Sequence, residues 1–386
     1  MTYPTVKGKK IYPLGFGFMR LPIMADGNID YTHSRAMMER AVAAGINYFD
    51  TAMPYHGGES EIFLGKEMTP AIREKVLLAT KLPTWLITEK SPADMDKCLN
   101  EQLKKLKTEC IDIYLLHSLN LTRWDVLRKV NVLDFLDRAK KAGKIRFAGF
   151  SFHDGLPLFK EIIDSYKWDI AQVQFNILDT VYQAGIEGVK YAHERGTFVV
   201  IMEPVKGGIL GMPIEGAFLK IAKKHGWNRA TFVDLCLKWL WNQPEIGVVL
   251  SGMSSMQQLT ENIKSAEDFI NEKGAITHNE IELIDDIREE FASRLRVGCT
   301  GCAYCRPCPN DVDILECFRI YNSASITGEW KKFQLLYENI IFSAGKQEKK
   351  ASFCLECGNC ESKCPQNIPI REKLKEVVRE FEKAVF

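Results

Sequence analysis

Residues 76–80 read VLLAT, residues 91–106 read SPADMDKCLNEQLKKL and residues 111–116 read IDIYLL, and this succession decides the fold. The two short runs are apolar almost throughout, which is typical of strands that are buried on both faces of a parallel sheet. The longer stretch begins with Ser91 in the position of a helix N-cap. Its apolar residues recur at helical spacing on one face and are Met95, Leu99, Leu103 and Leu106. The succession predicts a strand–helix–strand unit with parallel strands.

The same alternation of a short apolar run and a longer helical pattern extends from about residue 14 to residue 266. The expected strands are Gly15–Met19, Ile46–Asp50, Val76–Thr80, Ile111–Leu116, Ile145–Ser151, Ile170–Phe175, Phe198–Met202 and Gly247–Ser251. Eight strand–helix units in roughly 250 residues are typical of a (β/α)8 TIM barrel. A doubly wound sheet is the alternative, but no strand is followed by Gly-x-Gly-x-x-Gly at the start of a helix. We therefore predict an α/β fold built on the barrel.

Composition and charge restrict the class of protein. With 386 residues, 46% of them hydrophobic and 26% charged, the chain has the composition of an ordinary globular protein with two or three domains. The 51 Lys and Arg residues nearly balance the 50 Asp and Glu residues, so there is no electrostatic case for a nucleic-acid partner or an anionic membrane surface. The N-terminal sequence lacks a signal-peptide pattern, and no run of about 18 apolar residues occurs. We expect a cytoplasmic protein.

The twelve cysteines are distributed unevenly along the chain. Three lie in residues 1–295 and nine in residues 296–386. Since a disulfide framework belongs to small secreted domains, thiols kept reduced for metal binding are the better interpretation. Thr277 and Glu280 have the spacing of a capping box that opens a helix before these cysteines begin. We predict a barrel domain over residues 1–295 and a small, mainly α-helical ferredoxin-like domain over residues 296–386.

Two cysteine runs carry the metal-binding signal. They read Cys299-x2-Cys302-x2-Cys305-x2-Cys308-Pro309 and Cys354-x2-Cys357-x2-Cys360-x3-Cys364-Pro365. The second run matches the C-x2-C-x2-C-x3-C-P run of bacterial ferredoxins, in which three cysteines bind one [4Fe-4S] cluster and the fourth binds the other. Applied to this chain, the pattern predicts two clusters. The first would be bound by Cys299, Cys302, Cys305 and Cys364, and the second by Cys354, Cys357, Cys360 and Cys308.

The first cysteine run departs from the ferredoxin pattern, because two residues rather than three precede its last cysteine. Cys317 is therefore an alternative to Cys308 as the last ligand of the second cluster. Zinc and disulfides are alternatives for the whole set. Structural zinc usually pairs two knuckles of two cysteines each, which would leave cysteines over in both runs.

Polar residues follow three successive strands of the expected barrel. Asp50 ends the second strand, and Tyr55 lies in the loop after it. Lys81 follows the third strand and His117 the fourth. In a TIM barrel the carboxyl ends of the strands meet at one face, where the chemistry is located. An ammonium beside a tyrosine favours the phenolate, a carboxylate holds the ammonium, and an imidazole orients a substrate oxygen. The set predicts proton transfer to a carbonyl oxygen.

The segments around these residues resemble the aldo-keto reductase family. They are GFGFMRLP at 15–22, NYFDTAMPY at 47–55, LATKLP at 78–83, IDIYLLHSL at 111–119 and GFS at 149–151. The resemblance implies a catalytic tetrad, which consists of Asp50, Tyr55, Lys81 and His117. Tyr55 would be the acid–base group and NAD(P)H the source of hydride. The cysteine-rich tail resembles the ferredoxin-like domain of a bacterial and archaeal branch of that family.

The resemblance and an expected helix N-terminus also indicate cofactor contacts. The residues concerned are Ser151, Gln174, Ser251, Gly252, Ser254, Gln258, Glu261 and Asn262. Ser151 and Gln174 match positions that hold the nicotinamide carboxamide in the family. The stretch from Ser251 opens a helix, and a helix N-terminus after a late barrel strand is a natural phosphate site. Gln258 stands where an arginine often pairs with the 2′-phosphate of NADP, so the choice between NAD and NADP stays open.

The leading function is an oxidoreductase that reduces a carbonyl group, or oxidises an alcohol, with NAD(P)H. The clusters would be structural or would exchange electrons with a ferredoxin or another redox protein. A ferredoxin-coupled, flavin-dependent reductase on the same barrel is an alternative, because hydride carries two electrons, a cubane carries one, and flavin converts between them. Phe152 and Met202, which replace an asparagine and a tyrosine usual in the family, would then accommodate a different cofactor. A non-catalytic redox sensor or docking protein is a further alternative.

Three parts of the sequence are candidates for shaping specificity. His153 follows the residues that match the nicotinamide site, and we interpret it as a candidate contact for cofactor or substrate, although a loop histidine is usually structural. Barrel loops set substrate specificity, and we expect the tract 119–131 and the tail region 310–350 to shape the pocket. The sequence does not name the substrate.

Overall fold

The structure, a computed structural model, describes residues 5–6, 8–271, 274–342 and 349–382. The chain divides into two compact units, Met1–Pro204 with Val233–Ile276 and Val205–Phe232 with Thr277–Phe386. The helix His278–Arg294 belongs to the second unit, whereas the sequence analysis placed it in the barrel domain. It packs against two other helices of the second unit, Gly216–Lys224 and Ile314–Thr327.

The first unit contains a closed barrel of eight parallel strands, preceded by the short antiparallel pair β1 (Thr5–Val6) and β2 (Lys9–Lys10). The barrel strands are β3 Leu14–Gly17, β4 Tyr48–Asp50, β5 Leu77–Leu82, β6 Ile111–Leu119, β7 Ile145–Phe152, β8 Ile170–Gln174, β9 Phe198–Met202 and β10 Ile246–Ser251. Strands that are consecutive in the sequence are neighbours, and β10 closes the barrel by pairing with β3. All eight predicted strands are present, and the predicted TIM barrel is confirmed.

Helices connect the barrel strands. In the first unit they are Tyr31–Ala43, Glu59–Glu67, Pro70–Arg73, Asp94–Leu106, Leu121–Lys129, Val132–Lys141, Leu156–Ser165, Gly185–Glu194, Val233–Trp241 and Met256–Asn271, with 3-10 turns at Tyr55–Gly58 and Thr84–Leu86. The expected N-cap at Ser91 is wrong. Ala93 is the residue before the helix Asp94–Leu106, because the amide of Asp94 donates to the carbonyl of Ser91 at 3.1 Å and closes a turn there.

Alternation along the strands sorts side chains between the barrel interior and the layer under the helices. One apolar cluster occupies inward positions and includes Tyr48, Leu77, Ala79, Ile113, Leu115, Ile170, Val200, Val248 and Leu250. Gly149 lies on the same inward face, where a Cβ would come within 2.4 Å of the Ile170 carbonyl oxygen. Because side chains repeat with a period of two, the inward face continues at the carboxyl ends with Asp50, Lys81 and His117.

The second unit is mainly helical, as predicted for the tail. Its helices are Gly216–Lys224, His278–Arg294, Ile314–Thr327, Trp330–Phe342 and Ile370–Phe381, with 3-10 turns at Lys206–Gly211 and Ala351–Phe353. The predicted capping box is confirmed, since Thr277 and Glu280 each accept a backbone hydrogen bond from the other. Buried aromatic residues of this unit, Phe318, Tyr337 and Phe381, pack in one core with Cys305 and Cys317. No helix in the described part of the chain is long and apolar enough to cross a membrane.

Candidate functional site

Lys81 is the centre of a buried hydrogen-bond network at the carboxyl end of the barrel. Its Nζ donates to Asp50 Oδ1 at 2.7 Å, to the carbonyl of Thr51 at 2.7 Å and to the Tyr55 hydroxyl at 3.3 Å. The lysine side chain is only 1% exposed. The ammonium is therefore directed at a carboxylate, a carbonyl and a phenol, which use its three donors.

Asp50 and Lys81 stabilise each other's charge, whereas burial disfavours both charges. Burial raises the pKa of the Asp50 carboxyl group, and the Lys81 ammonium acts against that rise. Burial lowers the pKa of Lys81, and the negative charges of Asp50 and Glu61 act against that fall. Each charge is thus supported by the other, because removing one partner of a buried pair leaves an uncompensated charge.

Tyr55 is positioned by an irregular turn that follows β4. His56, Gly57 and Gly58 have φ angles of 52°, 63° and 102°, so three consecutive residues adopt the left-handed conformation that glycine favours. The His56 ring accepts a hydrogen bond from the Leu21 amide at 3.1 Å, which ties this turn to the segment after β3. Burial lowers the pKa of His56, in keeping with a neutral ring that accepts a hydrogen bond.

His117 completes the cluster. Its ring lies 6.2 Å from the ring of Tyr55, edge to face at 86°, and 5.1 Å from the ring of Trp85. The pKa of His117 lies well below its ordinary value, chiefly because the ring is buried and also because of nearby positive charges, including Lys81. A neutral imidazole that can hydrogen-bond a substrate oxygen is therefore present beside the phenol. The structure thus brings together the four predicted residues, Asp50, Tyr55, Lys81 and His117.

Ser151 and Gln174, the two residues expected near a nicotinamide, lie at the ends of β7 and β8. The Ser151 hydroxyl oxygen accepts a hydrogen bond from the Ser118 amide at 2.7 Å, which leaves its own proton to donate. The Gln174 amide donates to Asp179 Oδ2 at 2.7 Å. Both side chains are buried and fixed by these bonds. The sequence analysis did not identify Asp179, although it lies in the loop directly after a barrel strand.

The residues expected near the rest of a nucleotide surround the start of the helix Met256–Asn271. The side chain of Asn262 donates to the Ser251 hydroxyl at 3.0 Å, and the Ser254 amide donates to the side chain of Gln258 at 2.8 Å. At Gly252, a Cβ would lie 3.3 Å from Arg20 Cδ, so the aliphatic stem of an arginine packs against the strand-to-helix turn. Glu261 is exposed and accepts from the side chain of Gln257. A helix N-terminus with a nearby arginine favours an anionic group.

Five cysteines of the second unit line one cavity. It is lined by Cys308, Cys354, Cys357 and Cys360, the four cysteines predicted for the second cluster, and Cys305 also lines it. Among the described residues, no three His, Cys, Asp or Glu side chains are placed to hold a single metal ion. The donor set fits a polynuclear iron–sulfur cluster, which binds thiolates at its corners.

Three cysteines of the other predicted set, Cys299, Cys305 and Cys364, lie close enough to interact electrostatically. Burial, followed by the charges of the Cys299 and Cys364 thiolates, raises the pKa of the Cys305 thiol to about 12. Thiolates held this close repel one another, and iron cations would offset that repulsion. Cys317 lies elsewhere: it is fully buried, and its sulfur is 3.7 Å from the hydroxyl of Tyr337.

The two cysteine loops share a backbone conformation that the sequence analysis missed. The residues on either side of Cys302, Gly301 and Ala303, have φ angles of 65° and 66°. The residues on either side of Cys357, Glu356 and Gly358, have φ angles of 54° and 76°. Such positive-φ residues turn backbone N–H groups toward a common concave side, as in many iron–sulfur sites. A glycine beside the second cysteine of each run, Cys302 or Cys357, was the available signal.

Comparisons with known proteins agree with the barrel and with the cysteine-rich tail. Residues 13–287 match the model of the aldo/keto reductase family, and residues 298–369 match the model of a 4Fe-4S dicluster domain. A probable aldo-keto reductase 1 from Glycine max is 27% identical over 307 residues, which cover 69% of this chain and 84% of that protein. An NADH-specific methylglyoxal reductase from Escherichia coli is 25% identical over 279 residues, covering 62% and 84%.

A solved structure has the same barrel. The aldo-keto reductase AKR11C1 from Bacillus halodurans, in its holo form, superposes with a TM-score of 0.59 at 26% sequence identity. The match covers 72% of this chain and 93% of that one.

Proposed function

The chain belongs to the aldo/keto reductase family and is an oxidoreductase, and from this premise we propose that it reduces a carbonyl compound through Asp50, Tyr55, Lys81 and His117. The observation that carries the proposal is the distance of 3.3 Å between the Lys81 ammonium and the Tyr55 hydroxyl, deep in the barrel mouth. A binding protein has no use for an ammonium buried against a phenol, whereas an acid–base catalyst does.

In this proposal the hydroxyl of Tyr55 donates a proton to the carbonyl oxygen. Lys81 favours the phenolate that remains, because a positive charge beside a phenol stabilises its ionised form. Asp50 keeps the ammonium in place, and neutral His117 donates a hydrogen bond that orients the carbonyl oxygen. Bound NAD(P)H supplies the hydride that reduces the carbonyl carbon. The products are an alcohol and the oxidised nucleotide, and the phenolate regains a proton from solvent.

The residues around the barrel mouth fit a nicotinamide nucleotide. Ser151 keeps a donor proton for a carboxamide oxygen, since its oxygen already accepts from Ser118. The turn at Gly252, with Arg20 packed on it and a helix starting at Met256, offers backbone N–H groups and a cation to phosphate groups. The relative from Escherichia coli is named as NADH-specific, which also supports a nicotinamide cofactor.

We further propose that the tail binds two [4Fe-4S] clusters, through Cys299, Cys302, Cys305 and Cys364 and through Cys308, Cys354, Cys357 and Cys360. The cavity lined by Cys308 supports that cysteine over Cys317 as the last ligand of the second cluster. The two family models end at residue 287 and begin at residue 298, which supports a boundary between the two sequence domains near residue 295, even though the helix His278–Arg294 packs within the second unit. Cysteines kept as free thiols until they bind iron support a cytoplasmic location.

One observation favours electron exchange by the second cluster over a purely structural role. Cys357 is exposed, and its neighbour Leu355 is 64% exposed, so this cluster would reach the protein surface. A large apolar side chain left in solvent next to a redox centre suits contact with another protein. We propose a one-electron carrier, such as a ferredoxin, as that partner.

The test is the reduction of a carbonyl compound by the anaerobically purified, iron-loaded protein. With methylglyoxal as the substrate, we expect nucleotide-dependent consumption of the carbonyl and formation of the alcohol in a one-to-one ratio with oxidised nucleotide. A protein that binds no nicotinamide nucleotide and contains flavin in its acid extract would contradict the proposal and support the flavin-dependent alternative.

A further inference from the structure

Arg371 borders the cavity that is lined by the predicted ligands of the second cluster. In the described part of the chain, it is the one charged residue, apart from the cysteines, that lines this cavity. The other residues around the cavity are apolar, for example Ile314 and Leu374, except for Asn310. In surroundings of low polarity a charge acts more strongly on its neighbours than it does in water. A single cation of the chain therefore lies against the space between these thiols.

Hydrogen bonds hold the Arg371 side chain against the second cysteine run. Its Nε donates to Glu361 Oε2 at 3.0 Å, and a terminal nitrogen lies 2.7 Å from the same oxygen. The backbone amide of Arg371 donates to Glu361 Oε1 at 2.9 Å, and its guanidinium donates to the carbonyl of Glu356 at 3.4 Å. Glu361 directly follows Cys360, and Glu356 directly precedes Cys357. The bonds therefore fix the guanidinium to the loop that carries both cysteines.

Two further observations place the guanidinium near the predicted ligands. A Cβ at Gly358, the residue after Cys357, would lie 3.8 Å from the central carbon of the Arg371 guanidinium. The hydrogen bond and the charge of Glu361 raise the pKa of Arg371, and the Cys360 thiolate adds to that rise. The guanidinium is therefore within electrostatic range of a predicted cluster ligand.

Glu361 carries the opposing charge. Burial raises the pKa of the Cys360 thiol, and the charge of Glu361 adds to that rise, so the carboxylate also acts on this ligand. Both Arg371 and Glu361 are among the described residues, and only Arg371 lines the cavity. Their side chains are 43% and 22% exposed, so solvent screens part of each charge. The two charges should act on a bound cluster with opposite sign.

We propose that Arg371 raises the reduction potential of the second cluster and that Glu361 lowers it. This inference rests on the proposed function, since it concerns a cluster that the tail is proposed to bind. The potential of an iron–sulfur cluster depends on the charges around it, on hydrogen bonds to its sulfurs and on its exposure to solvent.

The sign of each effect follows from the change in charge. Reduction adds one electron, which the proposed one-electron carrier supplies, and makes the cluster more negative by one charge. No bond forms or breaks in this step. A nearby cation stabilises the more negative state, and a nearby anion destabilises it. Arg371 therefore makes reduction of the second cluster easier, and Glu361 makes it harder.

Redox titrations of the iron-loaded protein, followed by the EPR signals of the reduced clusters, test the inference without turnover. The transition of the second cluster is the one that Cys308→Ser removes. At a fixed applied potential, Arg371→Gln should lower the ratio of reduced to oxidised second cluster about threefold or more, as expected for one partly screened charge. Threefold corresponds to about 28 mV, since a tenfold change is 59 mV for one electron. Glu361→Gln should raise the ratio by a similar factor.

Two variants separate the charge of Arg371 from its packing. Arg371→Lys keeps the charge but lacks the planar fork that binds Glu361, so its potential should lie closer to that of the wild type than Arg371→Gln does. Arg379→Gln is the matched control, because Arg379 is exposed on the same helix, Ile370–Phe381. It lies about 12 Å along the helix from Arg371, beyond the Debye length of about 8 Å at physiological ionic strength. This variant should titrate like the wild type.

Iron and sulfide contents separate this inference from the proposed clusters. If about eight irons and eight sulfides are present and neither transition moves in Arg371→Gln, the inference is wrong and the clusters stand. Equal shifts in Arg371→Lys and Arg371→Gln would also overturn it, because the charge would then have no part. If Arg371→Gln loses the second cluster, Glu361→Gln decides, and an unchanged or lower potential there contradicts the inference. A wild-type protein without labile sulfide would contradict the clusters and the inference together.

Discussion

The ammonium of Lys81 lies 3.3 Å from the phenolic oxygen of Tyr55, and both side chains are buried at the carboxyl end of the barrel. The same ammonium lies 2.7 Å from Asp50. The three groups are therefore in contact in the order carboxylate, ammonium, phenol. The carboxylate stabilises the charge of the ammonium, and the ammonium stabilises the phenolate. Because water is excluded from the first two groups, the effect of Lys81 on the phenol is stronger than it would be in solution.

Replacing Tyr55 with phenylalanine removes the proton donor. We expect kcat for carbonyl reduction to fall by about 100-fold or more, in the range typical of general acid–base groups. Tyr48→Phe is the control: Tyr48 lies on the inward face of β4, the strand before the turn that carries Tyr55, and its buried hydroxyl has no partner among the described residues. That variant should keep its activity and its stability. Unchanged reduction by Tyr55→Phe in initial-rate measurements would exclude the proposed mechanism.

Glu61 is expected to tune Lys81 from outside the barrel. Its Oε1 accepts hydrogen bonds from Thr80 and from the side chain of Gln102, both at 2.7 Å, and Gln102 also donates to the carbonyl of Lys81 at 2.9 Å. Since the charge of Glu61 raises the pKa of Lys81, Glu61→Gln should lower it. The alkaline limb of a plot of log kcat against pH should then move to lower pH.

Glu59→Gln provides the comparison for that experiment. Glu59 is exposed in the first turn of the same helix, Glu59–Glu67, so its replacement should leave the pH profile unchanged. An alkaline limb that is identical in Glu61→Gln and the wild type would show that the network only packs the helix against the barrel.

The sequence predicts the barrel well because its signal is periodic. Buried strands of a parallel sheet are apolar runs, and the period of two then places Asp50, Lys81 and His117 on the inward face. The conformation of a loop leaves no such periodic pattern in the sequence. The sequence therefore did not reveal that Trp85 packs on His117, or that Asp179 fixes Gln174, although both follow barrel strands.

The choice between Cys308 and Cys317 shows the same limit. Spacing along the chain left both possible, since the first run lacks one residue of the ferredoxin pattern. The helix Ile314–Thr327 supports Cys308, because it turns Cys317 into the core against Tyr337, whereas Cys308 lines the cavity. Likewise Ser91 had the composition of an N-cap, but a turn through Pro92 delays the helix to Asp94.

Iron analysis tests the proposed ligand sets. The anaerobic wild-type protein should contain about eight irons and eight labile sulfides if both cubanes form. Cys308→Ser should reduce the content toward about four, because one cluster loses a corner ligand. Cys317→Ser should leave it unchanged, since that thiol lies against Tyr337. A wild-type content near two zinc ions without sulfide would contradict the cluster assignment, and iron loss in the Cys317 variant would contradict the ligand sets.

Gln258 should affect the choice of nucleotide. Its side chain accepts from the Ser254 amide at 2.8 Å and carries no charge with which to bind a 2′-phosphate. We expect Gln258→Arg to raise kcat/KM for NADPH relative to NADH by about tenfold, as an arginine pairs well with a phosphate group. Gln257→Arg, one position away on the exposed helix surface, is the control. An unchanged ratio in Gln258→Arg would place the adenosine ribose elsewhere.

His153 should make the stability of the protein depend on pH. Burial lowers its pKa from 6.5 to about 4 in the folded protein. Between these values the unfolded chain binds a proton that the folded chain does not, so the free energy of unfolding falls as the pH decreases. The loss begins near pH 6.5, amounts to at most about 1.4 kcal/mol per pH unit and is complete near pH 4. Above pH 6.5 this contribution is constant.

Calorimetric Tm values at pH 7.5, 6.5, 5.5 and 4.5 would measure the effect on the iron-loaded protein. The Tm of His153→Asn should fall less on acidification than that of the wild type, because asparagine has no proton to bind. His193→Asn, an exposed histidine on the helix Gly185–Glu194, should follow the wild type. Acid damage to the clusters is common to all three proteins and cancels in the comparison. Parallel Tm curves for His153→Asn and the wild type would mean that His153 binds its proton equally well in the folded and the unfolded chain, which would contradict the lowered pKa.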